Sequence, residues 1–274
     1  MPDWLTDFLG GFSIHLANGI WNKAMGLIGG LLTATPQAFS SGTWSFVEHT
    51  LYPWALSIGA GMLNLFFIIA VLQAVSDFHH NITLEMTIEA LIKIVAANVV
   101  FLNLLRLMKL LFTAASGMAG EVFTLQVPDL VVEDMDLGSI LFYQLFGIFF
   151  VLAAIVCSFL MLLTVYGRYI RLYLLVVMAP FAVPTLIGGR GTERSFYAWV
   201  RTFLLNVFEV VVIALVMVVS FKISGAGISL FDGQSMVTAA ADGFWDALNA
   251  LFTMILMTAS VKGANSLLQR TFGL

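Results

Sequence analysis

The chain has 274 residues, 60 % of them hydrophobic and 10 % charged, with a mean hydropathy of +0.99. Soluble domains carry about 25 % charged residues, so this composition excludes a soluble protein and specifies an integral membrane protein. The net charge of −4 says little about partners, because its distribution along the chain matters more than its sum, and no long basic arm suggests duplex DNA binding.

Residues 3–16 place Trp4, Leu5, Phe8, Leu9, Phe12 and Leu16 on one arc of a helix, with Asp3, Thr6, Asp7 and Ser13 opposite. The spacing predicts an amphipathic helix in an N-terminal segment spanning 1–46. Glycines at 10, 11, 19, 26, 29 and 30 weaken it as a free helix, so the stretch to Leu32 is expected to lie along an interface or to pack on neighbours. Asp3 and Asp7 stand where a secretory signal would carry basic residues, so the mature chain is expected to begin here.

Residues 47–274 form the expected transmembrane domain. Its first span runs over about 51–75, with Trp44, Tyr52 and Trp54 expected at the headgroup level. "SDFHHN" ends it; His79 and His80 are adjacent and diverge on a helix, which reads as a solvated turn rather than a metal site. The second span covers about 88–112 and the third about 140–166. Between them lies a loop with five carboxylates and no basic residue, and Cys157 within the third span reads as a small buried hydrophobe. Further spans are expected over about 202–221 and 244–261. Asp242, Asp246 and Asn249 share one face at the start of the last, where carboxylates suit a helix N-terminus.

The stretch "RYIRLYLLVVMAPFAVPTLIGGRG", residues 168–191, contains eighteen uncharged residues over 172–189 but is interrupted by Pro180 and Pro184. Each proline lacks an N–H and disfavours helix at the preceding residue. Arg168, Arg171, Arg190, Arg194 and Arg201, five of the twelve basic residues, flank the stretch. A stretch that dips in and returns, hinging at Pro180, Pro184, Gly188 and Gly189, keeps all five cytoplasmic, in keeping with the excess of basic residues on that side. The alternative is a proline-kinked crossing. The return reading gives five spans, the N-terminus outside, the acidic loop outside and the C-terminus inside. Arg106, Lys109 and Lys222 are its misfits. The predicted fold is an all-α polytopic membrane bundle with about five spans, an amphipathic N-terminal helix and a proline-broken re-entrant or interfacial segment.

On the second span Asn98, Asn103, Arg106 and Lys109 share an arc of about 140°. Such a face should look into the bundle, a subunit contact or a watery path; alternatively the basic residues snorkel to headgroups and the asparagines bond neighbouring helices. Glu209 lies inside the fourth span near Asn206, and a carboxylate there needs a partner or a proton. Arg106 is the candidate partner; a proton relay would need further titratable groups in series. The sequence contains no Ser/His/Asp triad, HExxH, P-loop or GxGxxG, so neither an enzyme nor a cofactor is expected.

The segment "GRYIRLYLLVVMAPFAVPTLIGGRGTERSFYAWVRTFLLNVFEVVVIALVMVVS" resembles the core of the TrbL-like (VirB-type) polytopic channel components of conjugative type IV secretion. The likeness rests on Arg168–Arg171, Met178–Pro180, Gly188–Gly191, Ser195–Leu205 and Glu209–Leu215, and covers about 50 residues by a degenerate motif. The long soluble tail of many relatives is missing. The resemblance implies a homo-oligomeric subunit of a bacterial cytoplasmic membrane that helps move single-stranded DNA and protein. Its implied partners are membrane lipid, transfer ATPases, a coupling protein and other secretion subunits. A small-solute transporter, which would require a midplane site between repeats, and a lytic pore, weakly suggested by the amphipathic N-terminus, are the alternatives.

Overall fold

The computed structural model describes residues 12–76, 84–123, 137–188, 191–225 and 239–271. Among these residues there is no strand, nearly all are helical, and five helices are long and apolar enough to cross a membrane. The elements are α1 (Phe12–Thr33), α2 (Pro36–Phe39), α3 (Ser41–Phe46), α4 (Tyr52–Ser76), α5 (Leu84–Val122), α6 (Leu137–Ala182), α7 (Glu193–Gly225) and α8 (Ala239–Thr271). Most of the expected amphipathic stretch 3–16, together with His79, His80, Gly189 and Arg190, lies outside the described residues.

The residues divide into two units. Unit 1 takes 1–33, 117–167 and 209–274; unit 2 takes 34–116 and 168–208. In unit 1, α1 is held by a buried stripe of Ala17, Trp21, Met25, Ile28 and Leu32. Its glycines serve close packing: a Cβ at Gly29 would lie 2.6 Å from the Phe123 ring. Ser13 packs against Gly147 of α6 in the same way. Buried residues recur every three or four positions on α6 (Ala154, Cys157, Met161, Val165) and on α8 (Met254, Met257, Val261, Ala264), the spacing that puts one helical face into a bundle.

Unit 2 begins with two capped turns. Thr35 accepts from the Ala38 N–H, with Pro36 opening α2, and Ser40 accepts from the Thr43 N–H at the start of α3. Helix α3 passes into α4 through a π-helical turn, Val47–Leu51. Pro53 supplies the reason, since it has no N–H and crowds the carbonyl four residues earlier; a widened turn before it relieves the clash. The domain boundary expected at 46/47 therefore falls inside a continuous helical run.

Helix α6 extends past 166, the expected end of the third span, and takes in 172–182 of the expected proline-broken segment. Helix α6 continues unbroken through Arg168 and Pro180 to Ala182, followed by a 3₁₀ turn over Val183–Leu186. Pro180 is tolerated because it falls in the last turn, where only the Val176 carbonyl loses a helical donor before the helix ends. Pro184 opens the 3₁₀ turn, a position where a missing N–H costs nothing. Gly191, just before α7, has φ 108°, a conformation that favours glycine. With 46 residues at about 1.5 Å each, α6 is more than twice as long as a bilayer of about 30 Å requires.

Candidate functional site

The polar residues of unit 2 gather where α6 and α7 run antiparallel on either side of this turn. Arg168 and Arg171, three residues apart, share one face of α6 and meet Asn206 on α7. The Arg168 Nε donates to the Asn206 carbonyl at 3.2 Å and its Nη2 to the Val207 carbonyl at 3.4 Å. The Arg171 Nε donates to Asn206 Oδ1 at 3.0 Å, and the Asn206 amide donates onward to the Thr202 carbonyl at 2.8 Å. Nearer the turn, the Trp199 indole donates to the Leu175 carbonyl at 3.2 Å.

A helix carbonyl has two lone pairs and uses one within the helix. The second can receive a guanidinium, which spreads its charge over several donors. Arg168, one of the five arginines of the expected cytoplasmic cluster, is 2 % exposed. Arg171 is half-buried, whereas Arg194 and Arg201 are exposed. The five arginines thus divide by environment: two hold α6 to α7, two face outward, and Arg190 lies outside the described residues.

The adjoining face of α6 carries Tyr169 and Tyr173, four residues apart, with the Arg168 guanidinium 5.2 Å from the Tyr169 ring centroid. Tyr169 Oη donates to the Ala34 carbonyl at 2.9 Å and Tyr173 Oη to the Pro36 carbonyl at 2.8 Å. Phe39 stacks on Tyr169 at 3.9 Å between centroids. These bonds satisfy carbonyls of the chain that links α1 to α3, where helical donors are lacking.

From Tyr173 the contacts continue to Trp44, at 6.1 Å, and from Trp44 edge-on to Phe112 of α5, at 6.3 Å. Phe112 meets Phe203, which stacks on Trp199 at 5.3 Å. The aromatic path therefore returns to the α6–α7 pair. Trp44 also donates through its indole N–H to Glu48 Oε2 at 2.6 Å, while Glu48 Oε1 accepts from Lys109 Nζ at 2.5 Å. The Lys109 ammonium lies 5.7 Å from the Trp44 ring centroid, within cation–π range.

This arrangement changes the reading of several residues. Trp44, expected at a headgroup surface, is 6 % exposed, and Tyr52 is equally buried; of the three aromatics only Trp54 faces outward, at 58 %. Lys109, a misfit by charge placement, has a carboxylate partner in Glu48. Asn98 and Asn103 are exposed, and each donates to the carbonyl four residues earlier in its own helix. Arg106 is exposed and Glu209 is 1 % exposed. Pro180 and Gly188 take part in close packing: a Cβ at Gly59 would collide with the Pro180 carbonyl oxygen, and one at Gly188 would crowd Phe66 and Thr192.

Sequence reasoning passed over Glu48, Tyr169, Tyr173 and Trp199 as site residues. A signal for the tyrosines exists in "RYIRLY", where the arginines at i and i+3 and the tyrosines at i+1 and i+5 occupy two faces of one helix. Nothing comparable marks Trp199, whose partner is a main-chain carbonyl. Chemically the assembly is a set of cations and phenols bonded to main-chain carbonyls, a side-chain amide and a carboxylate, suited to fixing helices against one another. Comparison with protein-family models, with curated proteins and with solved structures returns no match for this chain.

Proposed function

We propose that the chain is a non-enzymatic, oligomeric channel or scaffold subunit of a conjugative type IV secretion system in a bacterial cytoplasmic membrane. In this reading its N-terminus is outside and its C-terminus cytoplasmic. It works with transfer ATPases, a coupling protein and other secretion subunits to move single-stranded DNA and protein.

The observation that carries the proposal concerns the stretch resembling TrbL-like components. Three of the residues behind the likeness, Arg168, Arg171 and Trp199, tie α6 to α7 by donating to Asn206 and to the Leu175 carbonyl, which lie between the matched stretches. A motif whose residues tie two helices together fits a structural role rather than a substrate pocket. A fixed helical hairpin is what a subunit needs to keep its place in a multi-protein conduit.

The test is deletion of the gene from a donor cell carrying the element, followed by measurement of transfer to a recipient. Transfer is expected to fall to background, to be restored by the intact chain and to remain low with Arg168→Ala. Transfer at the undeleted frequency would overturn the reading.

A further inference from the structure

Helix α5 has two faces that recur at heptad spacing. The inner one, through Ala97, Phe101, Leu104, Met108 and Phe112, is buried in the chain. The outer one lies about 180° away at 100° per residue. It runs through Ile88, Ile92, Val95, Val99 and Leu102, all exposed, Leu102 to 82 %. Spacings of four, three, four and three make Ile92 and Val99 a positions and Ile88, Val95 and Leu102 d positions of a coiled-coil seam. A shallow apolar groove lies on this face, lined by Ile88, Ile92, Val95 and Ala96.

An outward apolar face is ordinary for a membrane helix facing lipid. What distinguishes this one is the pair of amides beside it. In the same register Asn98 is a g position and Asn103 the e position of the next heptad, one on each flank. The exposed face of α6 from Ile148 to Leu163 has no such amide. Each asparagine spends one N–H on its own helix, at 3.0 Å, which leaves a second N–H and the Oδ1 acceptor. Both lie within the apolar stretch Ile94–Val122, where lipid offers them no partner.

We infer that this face of α5 docks the same face of another copy of the chain, with Asn98 of one copy bonded to Asn103 of its neighbour. Copies of a membrane protein share one insertion direction, so the two helices run parallel. In a parallel seam a g residue lies opposite the following e residue of the partner, five positions on, and Asn98 and Asn103 are five apart. The surface is self-complementary without any change of shape. Its apolar layers end at Leu102; the cationic Arg106, one turn further, fixes the register by forbidding a slip that would bury it. The inference rests on the membrane-spanning, oligomeric part of the proposed function and on none of its secretory part.

The test uses full-length chains in cell membranes on a Cys157→Ala background. Two differently tagged copies carry Asn98→Cys and Asn103→Cys, and disulfides are formed with copper phenanthroline. The mixed 98–103 disulfide is expected to form several-fold faster than either like pair and than a Leu163→Cys pair on α6. Val99→Cys, which leaves both asparagines in place, is expected to cross-link to itself. Asn98→Leu should weaken self-association about ten-fold, the effect of losing an interhelical amide bond. Mixed 98–103 cross-linking no faster than the α6 pair, with Val99→Cys equally silent, would overturn the inference. Normal cross-linking in a chain dispensable for DNA transfer would overturn the function and leave this contact standing.

Discussion

Arg168 shows how one side chain can be worth more than its charge. Its guanidinium bridges two main-chain carbonyls of α7 while 2 % exposed, a task that needs several donors in a fixed plane. Lysine would bring a point charge on a flexible stem, and leucine would bring none. Arg168→Lys and Arg168→Leu are therefore both expected to cost at least about 2 kcal/mol, read as a lower unfolding midpoint in detergent. Arg194→Leu, on an exposed position, should stay within about 0.5 kcal/mol of the parent. Tyr173→Phe removes one hydroxyl bond to the Pro36 carbonyl and should cost about 1 kcal/mol by the same measurement. None of these partners could be read from the sequence, because a backbone carbonyl has no residue signature.

At the scale of elements, close approach decides what small residues do. Gly59 on α4 faces the Pro180 carbonyl with no room for a Cβ, whereas Gly61, two positions on, has nothing within 4 Å. Gly59→Ala is expected to destabilise by about 1–3 kcal/mol through overpacking. Gly61→Ala is expected to be neutral or to stabilise by up to about 1 kcal/mol through helix propensity. The same thermal measurement compares them, and equal effects would contradict the packing. Glu48 and Lys109 join α4's helical run to α5, each the other's counter-charge. Lys109→Met should destabilise more in the parent than in a Glu48→Gln background, since the second change removes the carboxylate left without its cation. The prolines teach a related lesson: α6 runs through Pro180 but ends two residues before Pro184, which disfavours helix at Val183.

At the scale of the whole molecule, five apolar helices lie at the five places expected from hydropathy, though α5, α6, α7 and α8 each extend beyond the expected span. The proposed orientation assigns the acidic loop to the outside and the α6–α7 turn to the cytoplasm. On the Cys157→Ala background, a cysteine replacing Leu130 should react with an impermeant maleimide added to intact cells, and one replacing Arg194 only after the cells are opened. Labelling of both from the same side would contradict the five-span arrangement.

Hydropathy alone determined that the chain is helical, membrane-embedded and built on five long apolar segments, because lipid forces every spanning backbone to satisfy itself locally and so ties structure to composition. Local patterns also disclosed the polar residues of α5 and the arginines around residue 168. Only the tertiary structure decided which of those arginines are buried and that Trp44 packs inside the chain. It also decided that Lys109 answers Glu48, and that α6 runs on through its first proline. Those outcomes depend on contacts between residues 24 to 137 positions apart, where partner choice is set by the packing of whole helices and leaves no periodic trace in the sequence.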